Sequence, residues 1–190
     1  MHSLIQGVYF SFIPKFIHRE DTYMKQSTLE LLSPAGSWEA LEAAVRSGAD
    51  AVYLGGSLFS ARANAQNFDH DTLKQAVAYC HARGVKVHLA VNTILLDHEI
   101  KTALDFVSFA CSLPVDAVIV QDIGLLHLLR HAAPTLQINA STQLSVHTPE
   151  GAKLLAEKGV SRVVLARELS LNEITEISQS LKDSGFAHVE

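Results

Sequence analysis

Cysteine is scarce in this chain. Only Cys80 and Cys111 occur, far apart and without a Cys-x-x-Cys spacing. Two thiols exclude a disulfide framework, and they cannot supply the four thiolates of an iron–sulfur cluster. Both fall in stretches that read as helices, so free thiols in a reducing compartment are expected. Basic residues are also few: 15 Lys and Arg stand against 20 Asp and Glu, for a formal charge of −5. That balance leaves no basic footprint of the kind that grips nucleic acid. No apolar run is long enough to cross a bilayer. The Gly-x-Gly-x-x-Gly turn of dinucleotide-binding folds is missing after the first strand, and no Gly-x-Ser-x-Gly elbow marks a serine hydrolase. No His-x-x-x-His or His–Cys pair has convincing metal-ligand spacing, so no metal site is expected.

What is present is a folded core: apolar residues make up 48% of the chain and charged residues 18%. Residues 1–27 stand apart as a leader of uncertain structure. They have no clear period, and Gly7, Pro14 and Lys15 interrupt their apolar part. They also lack the basic start and small-residue cleavage site of a secretory signal. Met24 sits just before the first strand and is the expected natural start of translation.

From Thr28 onward one phrase repeats: apolar run, polar turn, helical pattern, glycine. The runs are LELLSPAG (29–36), AVYLGG (51–56), VKVHLAVN (85–92), DAVIVQD (116–122), LQINASTQ (136–143) and SRVVLARE (161–168). Near-continuous apolar runs indicate parallel strands covered on both faces. Ser37, Asp69 or Asp71, and Asp97 read as helix starts, and Pro149 as a first-turn proline. Gly48, Gly84, Gly159 and Gly185 read as helix stops. Leu171–Ser184 is the expected sixth helix.

Parallel strands joined by helices fit either an open doubly wound sheet or a barrel. Polar residues gather at the C-terminal end of every strand, where a barrel builds its active site. The expected fold is therefore α/β, a partial TIM-like (β/α) barrel with about six of eight βα units. Residues 28–190 form its N-terminal portion, and Phe186–Glu190 read as the opening of a seventh strand.

The strand ends supply the candidate site. Ala35 and Gly36, then Gly55 and Gly56, are candidate anion-binding turns whose backbone can approach a ligand; a plain tight turn is the alternative at Ala35 and Gly36. Arg62, in a long loop, has the planar fork that clamps carboxylate or phosphate. Asn92, Gln121, Asp122, Ser141, Thr142, Gln143, Arg167 and Glu168 complete a mostly neutral hydrogen-bonding rim for a substrate. Arg167 and Glu168, adjacent on a strand, would point to opposite faces. Glu30 inside the first strand would need a partner. His88 and His147 read as packed or surface residues. These features identify no catalytic residue.

The run LELLSPAGSWEALEAAVRSGADAVYLGGSLFSARANAQNF, with AVIVQDIG, ASTQLSVH and RVVLARELSLNEI, resembles the collagenase-like peptidase family U32 from Leu29 to about Ser180. The resemblance implies a TIM-like N-terminal domain. It also implies one of two activities: proteolysis of collagen-like chains, or oxygen-independent hydroxylation of tRNA or rRNA bases, or of a quinone precursor, with prephenate as oxygen donor. The phrases ARANAQNF and QDIG look closest to the RNA-hydroxylating branch. In full-length relatives of this kind an iron–sulfur cluster is held by cysteines that follow the seventh strand, and Cys80 and Cys111 do not match them. No cofactor is therefore expected in this chain, which by itself would be inactive. Its partners would be a small carboxylated molecule such as prephenate, held by Arg62 and Arg167, and RNA or a polypeptide in full-length relatives. A second chain that completes the barrel is a further alternative. A cytoplasmic location without membrane contact is expected.

Overall fold

A computed structural model describes residues 29–61 and 66–190. The leader and Arg62 lie outside the described residues. Six parallel strands stand in the order of the sequence: β1 (Leu32–Pro34), β2 (Ala51–Gly55), β3 (Lys86–Val91), β4 (Ala117–Val120), β5 (Ile138–Ala140) and β6 (Arg162–Val163). A doubly wound sheet reverses its strand order at a switch point. This sheet never does, and so it is the wall of a partial barrel.

Among the described residues six α-helices cover the outside: α1 (Trp38–Arg46), α2 (His70–His81), α3 (Ile100–Ser112), α4 (Ile123–Ala132), α5 (Pro149–Glu157) and α6 (Leu171–Asp183). Their starts follow local capping chemistry. Ser37 Oγ accepts from the Ala40 amide at 3.2 Å, Asp69 Oδ1 from Thr72 at 2.8 Å, and Thr148 Oγ1 from Gly151 at 3.1 Å, just ahead of Pro149. Ser170 and Glu173 form a reciprocal capping box at α6. The third start differs from expectation: Asp97–Glu99 is a 3₁₀ turn, and α3 begins only at Ile100. Glu99 bends back to accept from the Leu96 amide at 2.8 Å, which tightens the turn.

Strand alternation sorts the side chains. Val52, Leu54, Val87, Leu89, Val91, Val118, Val120 and Ile138 join one buried cluster with Leu41, Leu73, Val107, Leu125 and Leu129 of the helices. Burying each large side chain contributes about 1.5–3 kcal/mol. The alternate positions therefore face the barrel interior. Ala51, Ala90, Ala117 and Ile119 are buried there, outside the helix-facing cluster.

The strands are shorter than the apolar runs, because the ends of each run turn toward a helix. The clearest case is the last. β6 stops at Val163, and Arg167 and Glu168 lie exposed in a turn, so the expected strand alternation between them does not apply. Ala166 instead donates its amide to the Val146 carbonyl at 2.9 Å. Beyond α6 the Glu190 amide donates to Ser161 at 3.2 Å, and its carbonyl accepts from Val163 at 2.7 Å. Those two bonds flank Arg162 as a parallel ladder does.

Candidate functional site at the strand ends

The loop after β2 folds back over the C-terminal ends of β1–β3. Its Ser57 amide donates to the Phe68 carbonyl at 3.1 Å, Phe68 donates to Gly55 at 3.0 Å, and Asn67 donates to Gly36 at 3.2 Å. Phe59 and Asn67 turn through positive φ, at 62° and 52°. Close packing leaves no room for a side chain at either glycine. A Cβ on Gly55 would collide with Ser60, and one on Gly56 with the Phe106 ring of α3. The close approach at Gly56 is thus made by a neighbouring helix.

Under the loop lies a small cavity bounded by Gly36, Tyr53, Gly55, Ser60, Asn67 and Asn92. Among the described residues that line it, no side chain carries a formal charge. Asn92 is its organising group. Its backbone amide donates to the Phe59 carbonyl at 2.9 Å, and its Oδ1 accepts from the Ala61 amide at 3.1 Å. Its Nδ2 reaches Ser141 Oγ on the far side of β4 at 3.5 Å. One amide side chain therefore links the loop after β2 to the ends of β3 and β5.

The other candidates divide. Ser141 is buried, and its hydroxyl also accepts from the Gln143 amide at 3.2 Å. Gln121 Nε2 donates to the Gln143 carbonyl at 3.5 Å, so Asn92, Ser141, Gln121 and Gln143 form one neutral patch. Thr142 turns away, donating to the Leu165 carbonyl at 3.3 Å. Asp122 caps α4 with Oδ1 on the Leu125 amide at 2.8 Å and holds Leu95 through Oδ2 at 3.3 Å. Both of its oxygens are committed to backbone. The Ala35 amide is bonded to the Tyr53 carbonyl at 2.9 Å, which leaves it no free donor for an anion. Arg167 and Glu168 do not line the cavity.

Tyr53, Ser60 and Asn67 were not singled out from sequence. Tyr53 was legible: in AVYLGG it alternates with Val52 and Leu54, so it faces inward. Ser60 and Asn67 arrive only through the fold of the loop, which has no period.

Deeper in the barrel, His88 and Asn139 are buried polar groups. His88 Nδ1 and Asn139 Nδ2 are 3.4 Å apart, from β3 to β5, across the small Ala117 of β4. Burial pushes the His88 pKa down, with the charges of Glu30, Arg162, Asp116 and Lys86 as smaller influences of both signs. His147 is exposed and bonds the Ser145 carbonyl at 2.6 Å.

The thiols do not fit a cluster. Cys80 lies on α2 and Cys111 on α3, both buried and free, and burial pushes both pKa values up to about 11. Among the described residues no group of three or more His, Cys, Asp or Glu side chains is placed to hold a metal ion. No helix among them is long and apolar enough to cross a membrane.

Residues 36–188 match the profile of Peptidase family U32. Two curated relatives are similar. The 23S rRNA 5-hydroxycytidine C2501 synthase of Escherichia coli is 43% identical over 152 residues, covering 80% of this chain and 23% of the relative. The uncharacterized protease MJ0090 of Methanocaldococcus jannaschii is 40% identical over 167 residues, covering 84% of this chain and 40% of the relative. The chain thus spans well under half of either. Among solved structures, the U32 peptidase Mk0906 superposes with a TM-score of 0.64 at 19% identity, covering 85% of this chain and 67% of that one.

Proposed function

The chain belongs to peptidase family U32, and from that premise we propose that it supplies the substrate-side rim of an RNA-hydroxylating site. The observation that carries this reading is the neutral amide patch formed by Asn92, Ser141, Gln121 and Gln143 beside the Tyr53 cavity. Amide groups are suited to the edges of nucleobases, and an aromatic ring to their faces. The rRNA-modifying relative at 43% identity supports the same direction. In this reading the work is done in the cytoplasm on tRNA or rRNA bases.

The chain's own residues bind and orient; the electron chemistry belongs elsewhere. A cluster would carry electrons in longer relatives, but the two buried thiols here do not fit one. The chain alone is therefore inactive in this proposal. Prephenate, if it is the oxygen donor, would meet Arg62 and the exposed Arg167, since the cavity's described lining offers no cation. The peptidase reading ranks second. Neither thiol is activated, and the Ser141 hydroxyl is engaged by amides rather than by a histidine.

The test is complementation in E. coli lacking the 5-hydroxycytidine synthase. Residues 24–190 would replace the matching segment of that enzyme. Recovery of 5-hydroxycytidine in rRNA by the hybrid, and none by the chain alone, is the expected result. A folded hybrid that releases peptides from collagen and leaves rRNA unmodified would reverse the ranking.

A further inference from the structure

The interior of a (β/α) barrel is ordinarily filled by bulky branched side chains. Beside Tyr53, His88 and Ile119, the inner face of β2–β4 here carries the small groups Ala51, Gly55, Ala90 and Ala117. Such small groups do little to set the distance between the first and last strands by packing. β1 and β6 share no ladder bond, because each lies at an end of the sheet.

One charged link does join them. Arg162 of β6 donates through Nη1 to Glu30 Oε1 at 2.8 Å, and Glu30 stands two residues before β1. Lys86 of β3 donates to the other oxygen, Oε2, at 2.9 Å. Arg162 also donates through Nε to Glu190 Oε2 at 2.9 Å and through Nη2 to the same oxygen. The Glu30 and Arg162 side chains are only 18% and 20% exposed, so this is not an ordinary surface pair. The rigid planar fork holds two carboxylates at once in a fixed geometry, which a flexible ammonium does not impose.

We propose that the Glu30–Arg162 pair is a cross-lumen tie that fixes the span between β1 and β6, and with it the spacing of the rim at the opposite ends of those strands. Sheltered ion pairs often add little net stability, because desolvation offsets their attraction. Their attested use is to select one arrangement, which is the role assigned here. The charged groups bonded to the pair are Lys86 from β3 and Glu190 beyond α6, and His88 of β3 lies within electrostatic reach of both partners.

Spin labels at Glu39→Cys and Leu171→Cys report the span, since these exposed positions follow β1 and β6 at the rim. The native thiols are buried. Double electron–electron resonance on the full chain should give one narrow distance distribution. Glu30→Gln and Arg162→Met should each broaden it and move its mean, and the double variant should broaden it no further than the worse single one. If Arg162→Met does not fold, Arg162→Lys keeps the charge without the fork and should give intermediate broadening. A native distribution in folded Glu30→Gln or in either folded Arg162 variant would overturn the tie. So would a double variant broader than both singles.

Discussion

Single side chains decide how the rim is held. The Asn92 side chain makes two bonds, so Asn92→Ala should cost about 1–3 kcal/mol at roughly 1 kcal/mol for each lost bond, with the orphaned partners adding to it. Chemical denaturation measures that loss, and hydrogen exchange at the Ala61 amide should quicken in the same variant. Gly56→Ala should also destabilise, by about 1–3 kcal/mol, because the new methyl meets the Phe106 ring. An acid titration addresses Glu30. Burial raises its pKa, but hydrogen bonds from Lys86 and Arg162 outweigh that and hold it at about 2, against an ordinary 4.5. Between those values the unfolded chain binds the extra proton, so this contribution to stability is complete above about 4.5 and is lost as pH falls toward about 2. Glu30→Gln should flatten that part of the stability profile. Glu30 itself was legible as a carboxylate in need of a partner. The identity of the partner was not, because Arg162 lies 132 residues away in sequence.

At the scale of elements, caps and turns decide more than the apolar runs do. Ser37 and Pro149 could be read directly, and the start of α2 narrowed to Asp69 or Asp71, since a cap acts within three or four residues of itself. Strand length could not, since leaving the sheet depends on where the next helix packs. That is why Arg167 and Glu168 sit in a turn rather than on β6. Asp122 shows the same limit: by position it is a rim residue, yet its two oxygens are spent on Leu125 and Leu95. Asp122→Ala should therefore lower stability by about 0.5–2 kcal/mol through α4. Exchange at both amides should rise together. The helices also shelter the thiols. Cys80 and Cys111 should resist alkylation in the native chain at pH 8 and react fully once it is unfolded, with their pKa values near 11 adding to the protection.

For the whole molecule, the order β1 to β6 without reversal makes the sheet a barrel wall, and the strand count and parallel sense were both readable from the repeated phrase. The inner face was less readable, because its polar groups meet across intervening strands: His88 with Asn139, and Asn92 with Ser141. These contacts exist only once the sheet curves. The patch they help build is the part of the molecule that bears on function. The most direct test counts 5-hydroxycytidine by mass spectrometry in rRNA from cells carrying the hybrid enzyme described above, with Asn92→Ala, Ser141→Ala or a remote Lys153→Ala substitution. Normalised to the level of folded protein, either rim substitution should remove most of the modified nucleoside and Lys153→Ala should remove none. Full modification by both folded rim variants would contradict the proposed function.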